Sequence, residues 1–241
     1  MSVEAVLFDV DDTLVDHSGA VARGFVQRLS QVAPAADRDA AAAEWRRLEE
    51  LHYRRHLDGE LTWQGQRRER VRGILAWLGQ PVPAGDDEVD AWFDAYRTAF
   101  EAATAAFAET VEVLDALDVP MGVVSNNSTA NLLAKLERVG LGGRFEVVLC
   151  PDTDGLPAKP HPALFHAGCA ALGTARGTTA YVGDRLRTDA LGARDAGLVG
   201  VWLDRHGRGA GTELPEGVVR IPDLRALTGL VAGSLPGRRV G

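Results

Sequence analysis

The stretch Val6-Leu7-Phe8-Asp9-Val10-Asp11-Asp12-Thr13-Leu14 runs from apolar residues straight into three carboxylates within four positions. Val3 to Phe8 is short and mostly apolar, the pattern of a strand buried on both faces. Carboxylates crowded at a strand's carboxyl end are costly to desolvate, and they persist if a cation sits among them. A hard divalent ion such as Mg2+ favours such oxygen ligands. A strand has a side-chain period of two, so Asp9 and Asp11 are expected on one side of the chain, in position to share a metal. Taken alone, three acids at a strand end also describe an ordinary solvated turn.

The distinction comes from residues far downstream. Ser125-Asn126 follows the apolar run Met121 to Val124. Lys159-Pro160 lies between the run Phe145 to Leu149 and an expected helix. Gly183-Asp184 follows Thr178 to Val182, with Asp189 five residues further on. Four strand-like runs thus each lead into polar residues on their carboxyl side, where open parallel sheets place their ligand sites.

With those residues in hand, the sequence resembles the haloacid dehalogenase-like superfamily of phosphohydrolases. Its four motifs stand in order as Asp9-Val10-Asp11-Asp12-Thr13, then Ser125, then Lys159, then Gly183-Asp184 through Asp189. The resemblance spans the whole core of the chain. It implies a doubly wound parallel α/β sheet with an all-helical cap inserted after the first motif. Asp12 stands where glycine is commoner in the family, and among non-glycine residues aspartate tolerates turn conformations well.

The same resemblance assigns roles. Asp9 attacks phosphorus in line and becomes an aspartyl-phosphate. Asp11 protonates the leaving oxygen and then activates water. Mg2+ is held by Asp9, the backbone carbonyl of Asp11 and Asp184, while Lys159 supplies positive charge from the other side. Ser125 and the amide of Asn126 donate to phosphate oxygens, with Thr13 of the first motif on the substrate side. Asp189, by its spacing, orients Lys159 or a water at the metal rather than ligating directly. Dehalogenating members carry no acid two residues after the nucleophile. Here that residue is Asp11, which favours phosphate ester cleavage.

At 241 residues, with 46% hydrophobic and 25% charged residues, the chain reads as a soluble globular protein of one sizeable core and a smaller lobe. A formal charge of -8 and a pI of about 5.3 exclude a general nucleic-acid binder, which needs a basic footprint. No apolar run approaches the length of a membrane span, and the N-terminus enters a strand with no basic leader, so export is not expected. Cys150 and Cys169 are read as free thiols of a cytoplasmic protein.

No convincing strand occurs between about 17 and 103. Helical patterns start at Asp16, near Ala40, after Thr62 and at Asp86. Residues 17–103 are therefore expected as the cap, and 1–16 with 104–241 as the catalytic core. Beyond the cap, helices and strands alternate: helix 109–117, strand 121–124, helix 129–139, strand 145–149, helix 162–172, strand 178–182, helix 189–196 and strand 199–203. An edge strand and short helix are expected within 218–230, and a frayed tail from Gly233.

Arg67, Arg68, Arg70 and Arg72 form the most basic part of the cap, together with His52 to His56. Either one of these arginines reaches a second anionic group on the substrate, or they are solvated and paired with Glu49, Glu50, Glu60 and Glu69. Three functional classes follow: a Mg2+-dependent phosphatase of a small phosphorylated metabolite, a sugar-phosphate mutase of the same family, and an aspartate-phosphorylated signalling module. Receiver-type signalling modules are shorter and carry the modified aspartate on a later strand. Physiological substrate and oligomeric state are not readable from these residues.

Overall fold

The computed structural model describes residues 3–153, 155–209, 211 and 213–233. The expected tail beyond Gly233 lies outside them. The chain divides into two compact units, one made of Met1–Asp16 with Ala105–Gly241, the other of His17–Thr104.

The first unit is built on a six-stranded parallel sheet. In chain order its strands are β1 (Ala5–Phe8), β2 (Met121–Val124), β3 (Val147–Leu149), β4 (Thr179–Gly183), β5 (Val199–Leu203) and β6 (Val218–Ile221). In space they run β3-β2-β1-β4-β5-β6, so the first strand is central and the winding reverses beside it. That reversal opens a crevice at the carboxyl ends of β1 and its neighbours. All four residues of β1 are fully buried. Val6 and Phe8 pack with Val123, Val182 and Val201 on one face of the sheet. Ala5 and Leu7 pack with Val124, Phe165 and Tyr181 on the other. A strand clad on both sides needs apolar residues at every position, which is why no alternation is visible in its sequence.

The second unit holds four helices, α1 (His17–Val32), α2 (Arg38–Leu57), α3 (Trp63–Trp77) and α4 (Asp86–Ala103). Asp37 caps α2, its Oδ1 accepting from the amides of Asp39 and Ala40 at 3.0 Å each. Thr62 caps α3 through the amide of Gly65 at 2.9 Å. Three acids in the first turn of α4 complement the helix dipole. The core of this unit is aromatic. Trp45 stacks on Phe25 with centroids 5.1 Å apart, and Tyr96 meets it edge-on at 4.8 Å. The basic stretch is largely neutralised internally. Arg68 pairs with Asp86 and Asp90, Arg72 with Glu69 and Asp86, and the buried Arg70 with Glu49 at 2.9 Å. Arg67 lies between Trp63 and Phe93, 4.9 and 5.0 Å from their ring centroids.

Helices α5 (Thr110–Ala116), α6 (Thr129–Arg138), α7 (Pro162–Ala171), α8 (Gly192–Asp195) and α9 (Ala226–Val231) complete the sheet unit. Pro162 opens α7, where its missing N–H costs nothing. The helix expected over 189–196 begins earlier and differently. A wide π-helical turn spans Leu186–Leu191 and only then does α8 begin. Cys150 and Cys169 are both buried free thiols. Among the described residues no helix is long and apolar enough to cross a membrane.

Candidate active site

As β1 ends, the amide of Asp9 is still held by the carbonyl of Val182 on β4, at 2.8 Å. The chain then turns sharply. The carbonyl of Val10 accepts from the amides of Thr13, Leu14 and Val15, and Asp12 sits at φ 59°. That left-handed conformation is one glycine adopts without cost and aspartate tolerates, which accounts for the residue found there. The far leg of the turn is strapped down. Leu14's carbonyl accepts from the amide of Phe107 and the hydroxyl of Thr110. Arg205, just past β5, pairs with Glu109, stacks 3.7 Å from the Phe107 centroid and donates to the carbonyl of Thr13 at 2.8 Å.

Lys159 lies at the middle of the site, its side chain only 2% exposed. Its Nζ donates to Asp9 Oδ1 at 2.9 Å and to Asp189 Oδ1 at 2.8 Å, and contacts the Tyr181 hydroxyl. Tyr181 donates onward to the carbonyl of Val124 at 2.7 Å. Asn126 clamps the lysine's backbone, accepting from its amide at 2.7 Å and donating to its carbonyl at 2.9 Å. Ser125 is buried beside it at the end of β2, its Oγ accepting from the amide of Asn127 at 3.3 Å. Asp189 is fixed twice, since its Oδ2 accepts from the amide of Arg185 at 3.0 Å. A Cβ at Gly183 would lie 2.5 Å from the Asp189 side chain, so the glycine ending β4 makes room for that carboxylate.

Asp9, Asp184 and Asp189 bring carboxylate oxygens within 4.8 Å of one another. Three carboxylates around one buried ammonium leave an excess of two negative charges, the charge of a single divalent cation. Burial, with Asp189 and Asp11 adding to it and Lys159 opposing, pushes the Asp9 carboxyl up to about 6. Burial together with Asp9, Asp189 and Asp12 pushes Asp184 up to about 7. Burial works against the charge of Lys159, but Asp9 and Asp189 outweigh it and hold the ammonium above its usual value. The Asp184 carboxylate has no hydrogen-bond or ion-pair partner among the described residues, while its backbone carbonyl is fixed by Trp202 Nε1 at 2.9 Å. An all-oxygen donor set of this charge fits a hard divalent cation.

Of the residues singled out from the sequence, Asp9, Lys159, Asp184 and Asp189 meet directly, with Asn126 on the lysine's backbone and Ser125 next to Asn126 in the chain. Asp11 adds its charge to that of Asp9. The strand's period of two ends with the turn, and its carboxylate pairs with Lys135 on α6. Thr13 is fully buried, with its hydroxyl bonded to none of the other site residues. Not singled out were Arg205, which holds the turn after β1, Tyr181, which reads as core filling within a strand, and Lys135. The last of these did leave a signal, a lysine on the apolar stripe of α6 between the buried Leu132 and Leu136.

Comparison with known proteins points to one family. The family model for a haloacid dehalogenase-like hydrolase matches residues 3–197. A phosphoserine phosphatase of Thermus thermophilus is 31% identical over 92% of this chain and 95% of its own. Among solved structures, the magnesium-bound YfnB of Bacillus subtilis superposes with a TM-score of 0.74 at 19% identity, covering 96% of this chain and 99% of that one. The L-2-haloacid dehalogenase RSc1362 gives a TM-score of 0.69 at 25% identity, covering 96% and 100%. With a six-stranded parallel sheet, the four motifs at its carboxyl edge and a family match over most of its length, the chain belongs to the haloacid dehalogenase-like hydrolases.

Proposed function

We propose that this hydrolase is a Mg2+-dependent phosphatase acting on a small phosphate monoester through an aspartyl-phosphate on Asp9. The observation that carries the reading is the Asp9 carboxylate, buried at the end of the central strand, 2.9 Å from Lys159 Nζ and grouped with Asp184 and Asp189. Asp11, an acid two residues beyond, supports ester cleavage over dehalogenation, because an alkoxide needs a proton on leaving and a halide does not.

Asp9, Asp184 and the backbone of Asp11 would hold Mg2+, which when bound supplies positive charge to the phosphoryl oxygens. The chain's own residues carry the rest. Lys159 binds the phosphoryl group and steadies the charge on its equatorial oxygens, and Ser125 Oγ with the amide of Asn126 orients it. A carboxylate oxygen of Asp9 attacks phosphorus as the bond to the ester oxygen breaks, and Asp11 gives its proton to that oxygen. Water then attacks phosphorus, Asp11 takes its proton, and inorganic phosphate leaves Asp9 restored. Asp189 and Tyr181 keep Lys159 in place. The helical unit His17–Thr104 serves as the cap and sets substrate choice.

A panel of phosphorylated metabolites, offered with Mg2+ to the purified protein, tests the reading by release of inorganic phosphate. At least one substrate is expected to be turned over, with activity lost in EDTA and reduced about 1,000-fold or more in Asp9→Asn. Activity that survives EDTA or Asp9→Asn would refute the mechanism.

A further inference from the structure

Two lysines sort Asp9 and Asp11 of the first motif. Lys159 is committed to Asp9, Asp189 and Tyr181, while Lys135 reaches Asp11 Oδ1 from 124 residues away. Lys135 is 7% exposed on a helix stripe whose neighbours Leu132 and Leu136 belong to the apolar core with Val10 and Leu14. A leucine would serve the packing there. An ammonium in such a place is costly unless paired, and Asp11 is the partner that compensates it. The helix is itself anchored, since Thr129 in its first turn donates from its amide at 3.0 Å and from its hydroxyl at 2.7 Å to Asp152 beyond β3. Lys135 therefore holds Asp11 from a rigid element, apart from the Lys159 cluster.

We propose that Lys135 is a positioning residue for the acid-base step, holding Oδ1 of the Asp11 carboxyl so that its other oxygen carries the proton that passes to the ester oxygen as the phosphorus–oxygen bond breaks. This rests on the phosphatase reading above. It makes a claim that a merely structural ion pair does not: loss of Lys135 must depend on the leaving group. An alkoxide needs the proton, whereas p-nitrophenolate departs without it. The first chemical step is isolated in kcat/KM, while water activation by Asp11 is common to all substrates and appears in kcat.

The test compares p-nitrophenyl phosphate with the best alkyl phosphate from the panel, in the wild type, Lys135→Met, Lys135→Gln, Lys135→Arg and Asp11→Asn. Lys135→Met and Lys135→Gln are expected to lower kcat/KM about 10- to 100-fold for the alkyl phosphate and severalfold less for the aryl one. Lys135→Arg should recover most of the loss, and adding Lys135→Met to Asp11→Asn should change nothing further. Equal losses on both substrates, no loss in either neutral variant, or full additivity with Asp11→Asn would each overturn the proposal. A wild type inactive on every phosphate ester would instead bring down the phosphatase reading beneath it. The melting temperature, read alongside, identifies a variant that fails to fold, and Lys135→Gln, the milder change, then decides.

Discussion

At the scale of single residues the site is held by close contacts with little tolerance. Gly183→Ala would drive a methyl group into Asp189. The expected outcome is a loss of about 1–3 kcal/mol in stability and at least a tenfold fall in kcat, from a Lys159 no longer held in place. Denaturant unfolding and phosphate release measure the two effects. Protons and cations compete for the same oxygens. Asp9 and Asp184 sit at about 6 and about 7 in the folded chain, against 3.8 for an unperturbed aspartate. Between about pH 4 and pH 7 the folded metal-free protein therefore binds more protons than the unfolded one. Its stability falls as pH rises through that window and is lowest above it. Asp184→Asn removes one of these groups, so its gain over wild type in EDTA should be larger at pH 8 than at pH 5. Stabilisation by Mg2+ should grow in the same direction. Melting temperatures across that range read both, and a gain independent of pH would contradict the burial argument.

At the scale of elements, the helical unit depends on Trp45, which is fully buried among Phe25, Trp92, Phe93 and Tyr96. Trp45→Ala is expected to cost about 3–5 kcal/mol, enough to separate the unfolding of His17–Thr104 from that of the sheet unit. A broadened or two-step calorimetric transition would report it, and an unchanged single transition would show that the aromatic cluster is not what holds the unit together. The π-helical turn over Leu186–Leu191 acts in the opposite sense, as a local departure that serves the site. It lets the Arg185 amide meet Asp189 Oδ2 at 3.0 Å while Oδ1 still reaches Lys159.

At the scale of the whole molecule, cation binding should be felt in one unit. Hydrogen exchange with and without Mg2+ is expected to show added protection around Asp9–Val15 and Gly183–Asp189 and little change over α2 and α3. Protection spread evenly over the chain would argue against a site confined to the sheet edge. The sheet and the four motifs were legible in the sequence because each strand is a buried apolar run that stops at a chemically loaded residue. The sheet strands, helices and carboxylate–lysine cluster follow from that pattern. Other parts were not. Period-two reasoning did not foresee that the Val10 carbonyl gathers three amides and turns the chain, nor that Asp11 pairs with Lys135 on α6. Tyr181 and Arg205 act through hydroxyl and guanidinium contacts to carbonyls in distant segments, which no local pattern announces.

The central strand β1 precedes the helical unit in sequence, yet its two neighbours in the sheet begin only at Met121 and Thr179. On the ribosome, the residues 17–104 therefore emerge with a complete aromatic core of their own while Ala5–Phe8 still has both edges unpaired. The nascent chain must carry an apolar, aggregation-prone strand until Met121–Val124 and Thr179–Gly183 have been made. The central strand is made before either of the strands that flank it.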